Sequence, residues 1–408
     1  MNARDFVLRG LAAAAVALAV SRPAPAAAGQ APAGPDTVPP GTLILGPVRI
    51  TPSILLQEMG VDDNVFNEPV DPKSDFTFTL TPRAVVLFRM SRLRLTYDFA
   101  TDYVYYKKYT SERGTNTSSL LRVEFDLGRL KPYGTIQGLN TKARLNSEVD
   151  TRARHRDLSY GGGVAFRIAS RTDVVVNATQ ARVAYEPDEE FRGVDLERSF
   201  NGRRRAFDAG LAFALTPITT LTMLVEREQR RFQLSPDRDS HAWRVAPTFT
   251  FSPTGVLSGS ASVGYRRFIP ESPALPEFTG IVSTVNIKAM IYTRHEMKAQ
   301  FSRDVQYSYD LDNDYYVGTG GTVTWTWLLV GPIDVRGTAG RYLMDYRGGP
   351  IADSDTSTTY GGGVGYRFGT KARVGANIAI LRRDSKISPE RNYRNQRLFV
   401  GLSWGITS

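Results

Sequence analysis

Two stretches of this chain carry nearly the same text. From Tyr360 it reads Tyr-Gly-Gly-Gly-Val-Gly-Tyr-Arg-Phe, then Gly-Thr-Lys, then Ala-Arg-Val-Gly-Ala-Asn-Ile-Ala-Ile. From Tyr160 it reads Tyr-Gly-Gly-Gly-Val-Ala-Phe-Arg-Ile, then Ala-Ser-Arg, then Thr-Asp-Val-Val-Val-Asn. In the first stretch Gly362, Val364, Tyr366 and Phe368 share one face, and Ala372, Val374, Ala376, Ile378 and Ile380 share the matching face of the second arm. Arg367, Arg373 and Asn377 fall opposite. A period of two is the repeat of a β-strand with one apolar face. Three turn-forming residues between two such arms make a β-hairpin. A chain tiled with this unit is all-β.

The tiling continues through the chain, with about eighteen arms expected from 47–57 at the start to 395–406 at the end. Leu93, Leu95, Tyr97, Phe99, Tyr103 and Tyr105 alternate with Arg94, Thr96, Asp98 and Asp102, and Phe207, Leu211 and Phe213 alternate with Asp208 and Gly210. The connections alternate too. Short ones fall near Ser91, Leu130, Arg171, Pro217, Pro253, Arg294, Pro332 and Thr370. Long ones include Glu58–Ser74, Ser147–Arg156, Pro187–Arg203, Pro270–Phe278, Arg347–Ser357 and Ser385–Arg394. Long loops gathered at one end and short turns at the other are the layout of a transmembrane β-barrel. About eighteen strands enclose a lumen too wide for side chains to fill, so the apolar face must meet lipid and the charged face water. The expected fold is a single transmembrane antiparallel up-and-down barrel. An even strand count leaves both termini in the periplasm. The last strand, with Leu398, Val400, Leu402, Trp404 and Ile406 on one face, is similar to the terminal strand that outer-membrane barrels present to their assembly machinery, though Thr407 and Ser408 follow it.

Residues 1–28 read as a secretory signal peptide. Arg4 and Arg9 precede the apolar run Leu11–Val20, and Ala26-Ala27-Ala28 offers a small-residue cleavage site. That run is too short to cross ~30 Å of hydrocarbon. Residues 29–46 form a Pro/Ala/Gly-rich periplasmic lead, and 47–408 the barrel. The chain has no cysteine, hence no disulfide framework. Its net charge of +10 falls to about +8 without the three Arg and one Asp of residues 1–28. On an exported chain that excess points to anionic lipid and lipopolysaccharide rather than nucleic acid.

Gly60-Val-Asp-Asp-Asn-Val-Phe66 opens the first long loop. Asp62, Asp63 and Asn64 offer oxygen ligands for a cation such as Ca²⁺, or side chains that bond their own backbone in a turn. The Asp-Asn-Val-Phe segment resembles that of outer-membrane β-barrel proteins of the porin-2 type. The resemblance implies a barrel that passes hydrophilic solutes or assists exopolysaccharide export, in company with polysaccharide export components, and carries no catalytic residues or cofactor.

The alternation assigns Arg94, Asp98, Asp102, Arg167, Asp208, Arg244, Lys288, Lys298, Arg336, Arg367 and Arg373 to a wetted lumen of mixed charge. Arginines crowd the external strand ends. Arg203, Arg204, Arg205, Arg382 and Arg383 are expected to form a collar facing lipopolysaccharide phosphates. Tyr103, Tyr105, Tyr106 and Tyr109, with Tyr307, Tyr309, Tyr315 and Tyr316, suit an aromatic girdle. Asp239-Ser240-His241 near the rim is the candidate for enzymatic chemistry, but a triad needs convergence in space and not adjacency in sequence. The expected function is a porin-like channel, without metal or cofactor. The alternatives are a rim enzyme acting on lipid or peptide, and a closed structural or adhesive barrel.

Overall fold

A computed structural model describes residues 42–252, 256–310, 313–329, 331–349 and 353–405. The expected signal peptide, the lead as far as residue 41, and Ile406 at the end of the last arm lie outside the described residues.

Eighteen strands form the wall. They are β1 (Val48–Asp62), β2 (Asp75–Met90), β3 (Leu93–Tyr106), β4 (Gly114–Phe125), β5 (Leu130–Thr141) and β6 (His155–Ala169). Next come β7 (Thr172–Tyr185), β8 (Gly202–Thr216), β9 (Thr219–Phe232), β10 (Ser240–Phe251), β11 (Leu257–Pro270) and β12 (Phe278–Ile291). The ring finishes with β13 (His295–Tyr307), β14 (Tyr315–Leu328), β15 (Ile333–Arg347), β16 (Ser354–Phe368), β17 (Ala372–Ser385) and β18 (Tyr393–Trp404). Each pairs antiparallel with the next, and β1 pairs with both β2 and β18, so the sheet closes. Closure leaves no unpaired edge for lipid to meet. Eighteen strands ~4.8 Å apart and tilted ~40° give a backbone diameter of roughly 35 Å. No side chain bridges that span, so the apolar faces can be buried only against lipid.

The exposure pattern agrees. Phe207, Leu211 and Phe213 are 53%, 50% and 42% exposed, whereas Asp208 between them is 4% exposed. Side chains two strands apart meet on the polar face: the Tyr133 hydroxyl on β5 reaches Asn177 on β7 at 2.6 Å, and Arg266 on β11 reaches Glu228 on β9 and Asp304 on β13, each at 3.0 Å. Next-nearest strands converge only on the concave side of a curved sheet, so this is the inner face.

The repeated triple glycines have a specific use there. An added Cβ on Gly163 would lie 2.1 Å from the Asn177 side-chain oxygen, and one on Gly363 would lie 2.3 Å from that of Asn377. The third glycine of each repeat makes room for an inward asparagine on the following strand, beyond the wall curvature that glycine permits.

Two boundaries differ from expectation. The lead does not stay apart: Leu43–Leu45 pairs with Val48–Ile50. The first arm, expected to end at 57, runs on to Asp62. A bulge at Glu58 (φ 52°) shifts the register between Leu56 and Met59, which breaks the period-two pattern for one residue.

The extension brings the Asp-Asn-Val-Phe segment to the seam of the barrel. Asp62 accepts hydrogen bonds from the Asn64 backbone N–H (3.0 Å) and the Asn395 amide (2.8 Å), and its second oxygen lies 3.0 Å from Arg397. Asp63 accepts from Gln396 N–H at 2.6 Å, and the Asn64 amide donates to the Arg394 carbonyl at 3.0 Å. All three side chains are therefore spent on the chain itself. The motif is a turn, as one of the two sequence readings held, and it clasps β1 to β18. Its carboxylates are turned to Asn395, Gln396 and Arg397.

Candidate functional site

The lumen and the loops above it are the candidate site. At the short-turn end, Lys288 and Lys298 hold Glu296 at 2.7 and 3.0 Å, and Arg367 and Arg373 hold Asp334 at 2.9 and 2.6 Å. Arg336 lies on the same face, in register between Thr326 and Gly363. In this sector five cations surround two carboxylates. Arg167 pairs with Asp173 across the β6–β7 turn, and Arg94 approaches Glu124 at 3.9 Å. Nearer mid-barrel, Asp98 accepts from Arg83 at 2.8 Å, Asp102 from Thr81 at 2.8 Å, and Asp208 from Asn177. Arg244 holds Glu226 at 2.9 Å. Every residue assigned to the lumen from sequence thus lies on the polar face, and the structure joins most of them into ion pairs across neighbouring strands.

The collar needs correcting. Consecutive strand residues point to opposite faces, so Arg203, Arg204 and Arg205 cannot act together. Arg203 and Arg205 face outward, whereas Arg204 faces inward and binds Glu228 at 2.6 Å. Likewise Arg382 is outward and bonded to Asp384, while Arg383 is inward and fully buried against Asp355 at 2.6 Å. The arginine run masked the period-two parity that would have separated them. Arg204 also belongs to a ladder the sequence reading missed, with Glu226, Glu228, Arg266 and Asp304.

The external loops are not a loose fringe. Loop 142–154, between β5 and β6, crosses to the far side of the ring. Arg144 donates to the Val65 carbonyl at 2.6 Å in loop 63–74, and Arg383 of β17 donates to the Glu148 carbonyl at 2.8 Å. The Glu148 carboxylate accepts from the Ser308 hydroxyl at 2.6 Å and the Tyr309 N–H at 3.3 Å, in loop 308–314. Val149 and Ala153 of this loop pack with Phe191 and Leu196 of loop 186–201, and with Tyr185 and Tyr309. Loop 186–201 contains a two-residue hairpin (Glu190–Phe191 with Val194–Asp195) and the short helix α1 (Leu196–Phe200), capped by the Asp195 side chain. Arg238, in loop 233–239, donates to the Ser199 carbonyl at 2.6 Å and pairs with Asp314 at 3.0 Å. Three loops and the arginines between them make a packed layer across the external end of the lumen. Long loops that fold inward build this layer.

This layer takes in five of the eight tyrosines expected in the girdle. Tyr106, Tyr307, Tyr309, Tyr315 and Tyr316 are buried, whereas Tyr103 stays on the lipid face. The girdle expectation holds for Tyr103 and fails for these five, because loops lie over the inner side of the strand ends. Burial has an electrostatic effect in the layer. Desolvation pushes the Glu148 carboxyl up to about 7, against the pull of Ser308 and Arg383, and pushes Asp150 up as well.

Asp239, Ser240 and His241 do not converge. Asp239 binds Arg231 and the Phe232 N–H, the Ser240 hydroxyl meets the Tyr307 hydroxyl, and His241 points to the opposite face from Ser240. His155 is buried against Tyr185, and His295 stacks on Trp325 and Trp327 at the short-turn end. Among the described residues no cluster of three or more His, Asp or Glu side chains could hold a metal ion.

The pattern that defines the family described as Putative beta-barrel porin 2 runs through residues 43–404, from the first pairing strand to the end of β18. The chain belongs to that family. Its members' name matches the closed wall and the polar inner face, and places this barrel in the outer membrane. Among curated proteins none matches the sequence. Similar solved structures include the FrpB iron transporter of Neisseria meningitidis (8% identity, TM-score 0.39), with 82% of this chain covering 62% of that one. OccK9 (OpdG) of Pseudomonas aeruginosa is 13% identical with TM-score 0.47, covering 87% of this chain and 98% of its own. A BenF-like porin of Pseudomonas fluorescens Pf-5 is 11% identical with TM-score 0.47, covering 87% and 98%.

Proposed function

We propose that this family member conducts small hydrophilic solutes, preferentially anions, through a charged lumen whose external end is governed by the inward-folded loops. The observation that carries the reading is the basic sector at the short-turn end, where the five cations Lys288, Lys298, Arg336, Arg367 and Arg373 gather around the two carboxylates Glu296 and Asp334. Fixed charge of one sign in a narrow wet passage raises the local concentration of the opposite ion. Paired carboxylates and guanidiniums elsewhere keep the wall polar without adding net charge. The same residues are the proposed lining, with Arg94, Asp98, Asp102, Arg167, Asp208 and Arg244 completing it.

Polysaccharide export, implied by the resemblance of the Asp62–Phe66 segment, is a narrower version of this reading. It requires the layer formed by loops 142–154, 186–201 and 308–314 to move aside for a chain of sugars. The test is single-channel recording in a planar bilayer. Discrete steps with a reversal potential favouring chloride over potassium are expected. Block of those steps by added oligosaccharide would support a sugar path. Folded, heat-modifiable protein that never conducts would overturn the channel and leave the rim-enzyme and adhesion readings.

A further inference from the structure

On the lipid-facing wall, cross-strand register builds a recess topped by cations. One outward row runs Val123–Gly134–Gly162–Ala178–Phe207–Arg227, in which three neighbouring positions have almost no side chain. The next row toward the external end contains Ile136, Tyr160, Gln180, Arg205 and Gln229. The row above that brings Arg182, Arg203 and Arg231 side by side. The first two rows and Arg231 line a groove of about 890 Å³ in the outer wall, with Glu271 its one acidic lining residue among the described residues; Arg182 and Arg203 lie just beyond its external edge, in register with Arg231.

The cations are arranged for an outside partner. Arg203 lies directly opposite Arg182 on one side and Arg231 on the other, and like charges in register repel. Arg231 is relieved by Asp239 and Glu271. Arg182, Arg203, Arg205 and Arg227 have no carboxylate partner among the described residues. Arg205 instead donates to Gln180, which donates to the Tyr160 hydroxyl, and this chain holds its guanidinium over the recess. Arg227 lies over the Trp243 ring at 5.6 Å. A row of unneutralised guanidiniums toward the external end of the wall, above an apolar slot, suits a phosphate joined to an acyl chain.

We infer that this groove binds one phosphorylated, acylated glycolipid of the outer leaflet (lipopolysaccharide), with a phosphate on Arg182, Arg203 and Arg205 and an acyl chain in the recess over Gly134, Gly162 and Ala178. The site is narrower than a collar. It spans β4 to β10 and leaves the Arg382 side of the ring out. It makes no use of the lumen, so it stands whether or not the barrel conducts.

The test uses the full chain purified in detergent from cells that make the lipid, with bound lipid phosphate and acyl chains measured after gel filtration. Two variants separate the two halves of the site. Arg182→Gln/Arg203→Gln/Arg205→Gln removes the cations, and Ala178→Leu fills the recess without touching them. Wild type is expected to retain about one lipid per barrel, and each variant to lose it by tenfold or more while remaining heat-modifiable. Addition of purified lipid A to delipidated wild type is expected to restore occupancy, and millimolar inorganic phosphate is expected not to compete. Retention unchanged in both folded variants overturns the proposal. So does loss in the arginine variant alone with competition by inorganic phosphate, which would mark a bare anion surface. If a variant does not fold, the wild-type occupancy and the competition arm decide by themselves.

Discussion

Raising the pH should loosen the layer across the lumen, and Glu148 should be the reason. Its carboxyl lies at 0% exposure, on Ser308 and the Tyr309 N–H, with Arg383 and Arg391 nearby. Tyr346, Tyr316, Tyr342 and Arg238 also face it, and Asp150 and Asp355 share Arg383 with it. Desolvation outweighs the cations and holds the carboxyl at about 7, against 4.5 for an ordinary glutamate. The sign follows from proton counting. The packed loop binds the proton more tightly than a released loop. The packed state is therefore at full stability below pH ~4.5, loses stability as the pH rises from there, and has lost its full share above pH ~7. At ~1.4 kcal/mol for each tenfold change in proton affinity, that share is roughly 3–4 kcal/mol, about two and a half decades in the ratio of packed to released loop. Single-channel recordings from pH 5 to pH 8 should show open-state occupancy rising with pH. Glu148→Gln, which stays neutral, should remove most of that slope and keep the low-pH behaviour throughout. Flat occupancy in wild type, or an equal slope in Glu148→Gln, would refute the reasoning. Asp150 is also pushed up by burial, so it contributes a slope of the same sign.

Arg383→Met should leave Asp150 and Asp355 buried without their shared cation, with Arg391 still 3.8 Å from Asp355, at a cost of up to about 3–5 kcal/mol. Because Arg383 also binds the Glu148 carbonyl, the expected readout is higher conductance at every pH from a barrel that still folds; unchanged conductance would sink the tether. Asp62→Ala strips the seam of its bonds to Asn64, Asn395 and Arg397, and the heat-modification midpoint should fall by several degrees. Asp334→Asn frees Arg367 and Arg373 in the basic sector, so the reversal potential in a salt gradient should move toward greater anion preference. If it does not move, Asp334 does not face the conducting path. Gly363→Val should clash with Asn377 and destabilise by about 1–3 kcal/mol, with partial rescue by Asn377→Ala in thermal unfolding.

The sequence by itself determined the wall. Period-two alternation is a local property that lipid on one side and water on the other read directly, so strand number, face assignment and the ordering of short turns and long loops could be taken from Leu93–Tyr105, Phe207–Phe213 and Tyr360–Ile380. It also contained the parity that splits Arg203 from Arg204 and Arg382 from Arg383, obscured only by the run of like residues. The bulge at Glu58 lay beyond that reading, since one extra residue resets the alternation without any change in composition. What tertiary structure decided is everything that joins distant parts of the ring. Asp62 finds Asn395 and Arg397 only because the barrel closes. Glu148 finds Ser308 and Arg383 only because a loop crosses the lumen. The recess over Gly134, Gly162 and Ala178 exists only because three strands come into register. Alternation sets which way a side chain points, but the partner it meets depends on how far each strand has slid past the next, and no single strand encodes that.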